Sequence, residues 1–308
     1  MSAVISSSSK NTDREKVENL TGQRCGPDDR YQIGSLLSES TKFQSYETYD
    51  EKLSRDVTLN TFPPKHEELA QTQLEIYSSI QHPNVCPLLD AGKTGDRQYL
   101  ILRQVEGFRL ENLVTKDTAL AADEISGMIN QLLDILITLH DKNYLHLGLA
   151  PSSVLLSTSY NTECQYLITN FINASKMDEE GNWSEPKPGM FRDCFPHTAP
   201  EALNGGTADV RSDLFSLGAL VYHAFCGHAP FEGNGPIEVS SSHQDAAKAP
   251  VHLSYKRPEV PDEIANWVMS LLEVDQNKRP KDALEALKSF QQLKGISVDI
   301  AEQDSRVA

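Results

Sequence analysis

Apolar residues recur along the chain with two different periods, and the change of period divides it. From residue 30 to about 103 the apolar runs are short and strand-like. They fall at 31–37, 43–49 and 57–62, with turn-forming polar residues between them. Pro63-Pro64 ends the third run. Residues 67–81 then predict a helix, with Leu69, Leu74, Tyr77 and Ile80 on roughly one face. His82-Pro83-Asn84 stops that helix. Two further strands are predicted at 85–90 and 99–104, which completes a unit of five strands and one helix.

The second half is mainly helical. Over 123–141, Ile125, Ile129, Leu132, Leu133, Leu136 and His140 follow helical spacing. Short apolar pieces follow at 154–156 and 166–169, and apolar helices are predicted at 213–226, 264–272 and 282–290. The stretch 173–196 is polar and rich in Gly and Pro, and reads as a long surface loop. Residues 1–29 are polar and Ser-rich and are expected to be a flexible N-terminal segment, with order starting at Arg30-Tyr31. The expected divisions are 30–104 for the strand-rich unit, 105–295 for the helical unit and 296–308 for a loose tail. No internal repeat is visible.

Charge narrows the chemistry. The 308 residues carry 28 Lys and Arg against 44 Asp and Glu, a net charge of −16. Such acidity disfavours nucleic acid and anionic membranes as partners. No apolar run reaches bilayer length, and the first ten residues lack a signal-peptide pattern, so a soluble, cytoplasmic protein is expected. The five cysteines are scattered without a C-x-x-C pair, which argues against zinc or a disulfide framework. There is no H-E-x-x-H and no G-x-S-x-G. The segment Asp178-Glu179-Glu180-Gly181-Asn182-Trp183 reads as a solvated acidic loop, with a protein-docking patch as its alternative.

Six short strings then stand in a fixed order. They are His82-Pro83-Asn84; His146-Leu147-Gly148-Leu149-Ala150-Pro151 with Ser152-Ser153-Val154-Leu155-Leu156; Asn170-Phe171-Ile172; Ala199-Pro200-Glu201; Ser212-Asp213-Leu214-Phe215-Ser216-Leu217-Gly218; and Arg279-Pro280. In this order they resemble the protein kinase family from about residue 30 to 294, with wording closest to its bacterial branch. The resemblance implies an α+β, two-lobed fold. Its N-lobe would be a five-stranded antiparallel sheet with one helix, and its C-lobe mainly α-helical.

Kinase catalysis is positioning plus electrostatics, and the resemblance says where its parts belong. The glycine slots of the phosphate loop fall on Ser38, Ser40 and Phe43. The strand lysine falls on Asn60 and its helix glutamate on Gln73. The catalytic-loop aspartate, lysine and asparagine fall on Gly148, Ala150 and Ser153. The metal-binding aspartate falls on Asn170 and the glycine after it on Ile172. Ser45 and Thr58 stand where apolar residues would sandwich adenine, while Leu155 keeps the lower half of that sandwich.

Other positions match architectural residues of the family. Glu201 and Arg279 correspond to a buried ion pair, and Asp213 to a buried helix aspartate that receives catalytic-loop N–H groups. His146 and Phe171 correspond to an apolar column linking the lobes. The expectation is a pseudokinase, not an enzyme, with no cofactor, no metal and weak or absent ATP/Mg²⁺ binding. It would act on a protein partner, such as an active kinase, as scaffold or allosteric regulator. The alternatives are a metal-independent nucleotide sensor and a residual ATP-dependent Ser/Thr kinase.

Overall fold

Alternating side chains build the first layer. In the computed structural model, which describes residues 18–304 apart from 41, 117, 158–163, 184–190 and 192–193, six antiparallel strands form one sheet in the order β1-β2-β3-β4-β6-β5. They are β1 (Arg24–Cys25), β2 (Tyr31–Glu39), β3 (Gln44–Asp50), β4 (Arg55–Phe62), β5 (Leu88–Thr94) and β6 (Arg97–Arg103). Helix α1 (Glu67–Ser79) lies between β4 and β5 in sequence. Tyr31, Ile33, Tyr46, Val57, Leu59, Tyr99 and Ile101 form a small core with Leu20 and Cys25. Phe62, Leu100 and Leu102 join Ala70, Ile76 and Tyr77 of α1 in the main core.

The sheet therefore has one strand more than expected, and order begins before Arg30. Leu20 and Cys25 are buried, the Leu20 N–H donates to the Tyr46 hydroxyl at 3.1 Å, and Cys25 pairs with Tyr31. Two apolar side chains and a short ladder tie this part of the expected flexible segment to the sheet. Residues 1–17 lie outside the described residues.

The helical part contains α2 (Leu110–Leu113), α3 (Ala122–Asp141), α4 (Pro200–Leu203) and α5 (Val210–Cys226). It continues with α6 (Pro236–Gln244), α7 (Leu253–Lys256), α8 (Asp262–Leu271) and α9 (Ala283–Asp304). Short strands β7 (Gly107–Arg109), β9 (Val154–Ser157) and β10 (Gln165–Ile168) form a second sheet, and β8 (Tyr144–Leu145) pairs with β11 (Ser175–Lys176). Helix α9 runs on into the expected tail, with its side chains past Leu293 outside the described residues. Among the described residues, no helix is long and apolar enough to cross a membrane.

Helix α5 is the axis of this half. Its start is fixed by a reciprocal cap: Asp209 accepts from the Arg211 N–H at 2.8 Å, and the Asp209 N–H donates to the Ser212 hydroxyl at 3.2 Å. It is buried almost throughout. At Gly218 an added Cβ would stand 2.7 Å from the Leu271 Cβ, so glycine there lets α8 approach closely. The helix ends at Gly227, whose φ of 75° is left-handed.

Candidate functional site

Sheet and helices meet at a cleft of about 600 Å³. Ser38 and Phe43 reach it from the β2–β3 hairpin, and Ser45, Thr58 and Asn60 from β3 and β4. Gln104, Glu106, Glu111, Leu155 and Asn170 line it as well. Of the positions singled out from sequence, the cleft thus gathers Ser38, Phe43, Ser45, Thr58, Asn60, Leu155 and Asn170. Ser40, Gln73, Gly148, Ala150, Ser153 and Ile172 lie outside its lining.

The hairpin tip is a tight turn. The Ser40 N–H donates to the Phe43 carbonyl at 2.9 Å, and the Ser40 hydroxyl oxygen accepts from the N–H groups of Lys42 and Phe43, each at 3.2 Å. This is the local hydroxyl-to-backbone chemistry that makes serine a turn former. Phe43 stacks on Phe62 with ring centroids 6.1 Å apart, which draws its ring against the main core and leaves the cleft open.

The loop after β8 holds its shape by different means. Leu147 has φ 52°, a conformation uncommon for a branched residue. The N–H groups of His146 and Leu147 donate to the Asp213 carboxylate at 2.8 and 2.7 Å. His140 on α3 places Nε2 at 2.9 Å from the same carboxylate. Burial pushes the Asp213 carboxyl up, but the bond with His140 and its charge, with the backbone donors, hold it below its ordinary value. Sequence spacing reads His140 as packing alone, because its partner lies 73 residues away.

Downstream, the Ser153 hydroxyl turns inward. It donates to the Ala150 carbonyl at 2.8 Å and accepts from the Ala150 N–H at 3.1 Å, so it is spent on its own turn. Gly148 faces Asn173, since an added Cβ would come within 2.9 Å of Asn173 Nδ2. Asn173 is buried and donates to Cys194 Sγ at 3.1 Å.

Helix α1 is docked against the stretch after β10. The Tyr77 hydroxyl donates to the Thr169 carbonyl at 2.9 Å, and Gln73 accepts from the Phe171 N–H at 3.4 Å. Gln73 is fully buried, and its Nε2 has no partner among the described residues. Phe171 packs edge-on to Tyr77 at 5.1 Å and against His146 at 5.4 Å. Glu75 pairs with Lys176 at 3.0 Å. Farther down, Arg279 grips Glu201 through two bonds of 2.7 and 3.0 Å.

Asp178–Trp183 forms a small turn in which the Asp178 N–H donates to the Asn182 carbonyl at 2.8 Å, and Trp183 packs partly against the main core. None of the five cysteines is in a disulfide. Burial raises the Cys86 thiol beside the cleft to about 12. Among the described residues no three His, Cys, Asp or Glu side chains are grouped to hold a metal ion.

Comparison with known proteins follows the same outline. A family model described as protein kinase domain matches residues 51–290. The serine/threonine-protein kinase pkn2 of Myxococcus xanthus is 30% identical over 218 residues, 71% of this chain and 26% of that protein. The probable serine/threonine-protein kinase PknB of Lactococcus lactis is 25% identical over 84% of this chain and 41% of its own length. The serine/threonine-protein kinase PrkC of Bacillus subtilis is 24% identical over 82% of this chain and 39% of its own length. The chain thus spans less than half the length of each of these relatives.

These matches correct one expectation. The chain was expected not to be an enzyme, but relatives named as serine/threonine-protein kinases favour an enzyme. With a kinase family model covering well over half its length and bacterial kinases among its relatives, the chain belongs to the protein kinase domain family, in its bacterial branch.

Proposed function

We propose that the chain is a serine/threonine-kinase-type signalling domain that binds a purine nucleotide in the interlobe cleft. The observation that carries this reading is the open cleft itself. At about 600 Å³ it lies in the usual range for small-molecule sites, with apolar and polar groups contributed from both lobes. Leu102 and Leu155 offer apolar faces to a base, and Ser45, Thr58 and Asn60 offer hydrogen bonds.

The activity that the relatives' names support is transfer of the γ-phosphoryl group of ATP to a seryl or threonyl hydroxyl. The bond from acceptor oxygen to phosphorus forms, the bond to the β-phosphate oxygen breaks, and ADP leaves. Under this proposal Gly148, Ala150 and Ser153 occupy the catalytic-loop positions and Asn170 the metal position. None of these brings a carboxylate, so the hydroxyl proton passes to a phosphate oxygen or to water. A positioned general base contributes about 10²–10⁴-fold, so transfer is expected to be slow by about that factor. Mg²⁺ would neutralise phosphate charge, but the cleft offers it the Asn170 amide and, among the described residues, no group of carboxylates to hold it.

The test is a melting-curve titration with ATP, with and without Mg²⁺, run beside transfer of labelled phosphate to Ser/Thr peptides. Ligand at 100 times its dissociation constant stabilises the fold by about 2.7 kcal/mol, a visible shift. No shift in either condition, together with no label in peptide, overturns the reading.

A second reading, regulation through a protein partner, draws on Ile237 and Tyr255. Each is 83% exposed on a C-lobe helix, where an apolar side chain gains by being covered. It is supported by a kinase whose activity changes when this chain is added and no longer changes with the Ile237→Glu variant.

A further inference from the structure

Two polar side chains line the cleft with nothing to bond. Ser45 of β3 and Asn60 of β4 stand opposite each other in the ladder, and both belong to the cleft lining. Ser45 is 2% exposed and Asn60 3%. Among the described residues, neither side chain has a hydrogen-bond partner. Their sequence neighbours Gln44 and Thr61 are spent, since both accept from Arg97, at 2.9 and 3.0 Å. A buried amide left unpaired costs free energy and calls for an explanation. A ligand in the cleft supplies one.

The surroundings of Asn60 say what that ligand presents there. Its partners across the ladder are Ser45 and Leu100, both uncharged. The charged groups of the lining lie elsewhere. Glu47 is two residues along β3, opposite Thr58, and accepts from the Ser35 hydroxyl. Arg103, Glu106, Arg109 and Glu111 lie between the end of β6 and α2, with Arg109 donating to the Ser152 carbonyl at 3.0 Å. The group that meets Asn60 is therefore uncharged and able to hydrogen-bond. An asparagine amide offers an acceptor beside a donor. A 6-aminopurine offers the complement, an amino donor beside a ring-nitrogen acceptor, and asparagine makes this pairing with adenine in nucleic acids. Position agrees with chemistry. Leu102 pairs with Thr58, two residues from Asn60 on the same side of β4. Such residues stand about 7 Å apart, a span that a purine covers. A base resting on Leu102 and Leu155 thus brings its edge to Asn60.

We infer that Asn60 is the base-reading residue of this cleft, its amide oxygen accepting from a 6-amino group and its amide nitrogen donating to the ring nitrogen beside it. The inference rests on the cleft binding a purine nucleotide, as proposed above, and names the residue that selects the base. A purine without the amino group leaves the amide oxygen buried and unpaired, which is the costly case for a hydrogen bond.

Calorimetric titration of the whole chain, without metal, compares ATP with purine riboside triphosphate, which lacks the 6-amino group, on wild type and Asn60→Leu. The triphosphate is common to both ligands, so the charges of the lining cancel in the ratio of affinities. Wild type is expected to bind ATP about 10- to 100-fold tighter than purine riboside triphosphate. Asn60→Leu, close in size, should bind the two alike, with ATP weakened by that same factor. Its melting point should hold or rise, because an unpaired buried amide is gone. Asn60→Leu keeping the wild-type ratio overturns the role of Asn60, whose amide is then only hydrated, and leaves the nucleotide reading standing. So does a wild type that binds both ligands alike. A wild type that binds neither overturns both readings.

Discussion

Arg279 shows how much a single buried side chain can hold. With no exposed surface, its guanidinium bonds both oxygens of Glu201 and the carbonyls of Glu273, Arg211 and Val274, while lying 4.9 Å from the Phe215 ring centroid. Removing it strands the Glu201 charge and three carbonyls. Arg279→Ala is expected to lower unfolding free energy by about 3–5 kcal/mol in urea titrations. Three histidines nearby act in the opposite sense. His197 and His223 stack with ring nitrogens 3.0 Å apart, and His243 is wedged edge-on between Phe215 and Phe231. Burial lowers all three, to about 3, 4 and 4 respectively; His223 adds to the effect at His197 and His228 to that at His223, while Glu201 raises and Arg279 lowers His243. Their ordinary value is 6.5, so between 6.5 and about 4 the unfolded chain binds more protons. Stability from this cluster is complete above pH 6.5 and falls as pH drops towards 4. Neither His243 nitrogen has a partner among the described residues, so His243→Phe should hold the neutral-pH melting point and flatten its fall in acid.

Helix ends carry their own constraints. Gly227 ends α5 in the left-handed region, and an added Cβ would lie 2.1 Å from the Thr115 carbonyl oxygen. Backbone, unlike a side-chain tip, cannot swing away. Gly227→Ala should cost at least about 2 kcal/mol, read as a drop in the denaturant midpoint. Elements differed in how legible they were from sequence. Helices α3 and α5 announce themselves because a buried helix needs an unbroken apolar pattern over several turns. Helix α6 has no such pattern: it buries Val239, Ser242 and His243, and two of those three are polar. Strand β1 spans two residues, too short to show a period. Asn60 and Asn170, which line the cleft, are marked by neighbouring strings, whereas Lys42, Asn173 and Cys194 come together only through folding. No local signal marks a lysine for an amide 131 residues away.

On the scale of the molecule, one large core runs through both lobes, beside the small core of the sheet. Phe62 and Ala70 from the sheet side belong to the same apolar cluster as Leu136, Phe215 and Phe290. The backbone adds to this where the Ile168 N–H donates to the Asn84 carbonyl and the Cys86 N–H to the Ile168 carbonyl. One cooperative transition is therefore expected in calorimetry, with calorimetric and van't Hoff enthalpies in agreement. Two resolved transitions would show that the lobes melt apart. Asp213 makes the same unity visible at the level of single protons. Its carboxylate holds the N–H groups of His146 and Leu147 at the centre of that shared core. In heavy water those two protons have no local route to solvent, so they should exchange last. Their exchange rates, measured by NMR, then report the free energy of opening the entire chain.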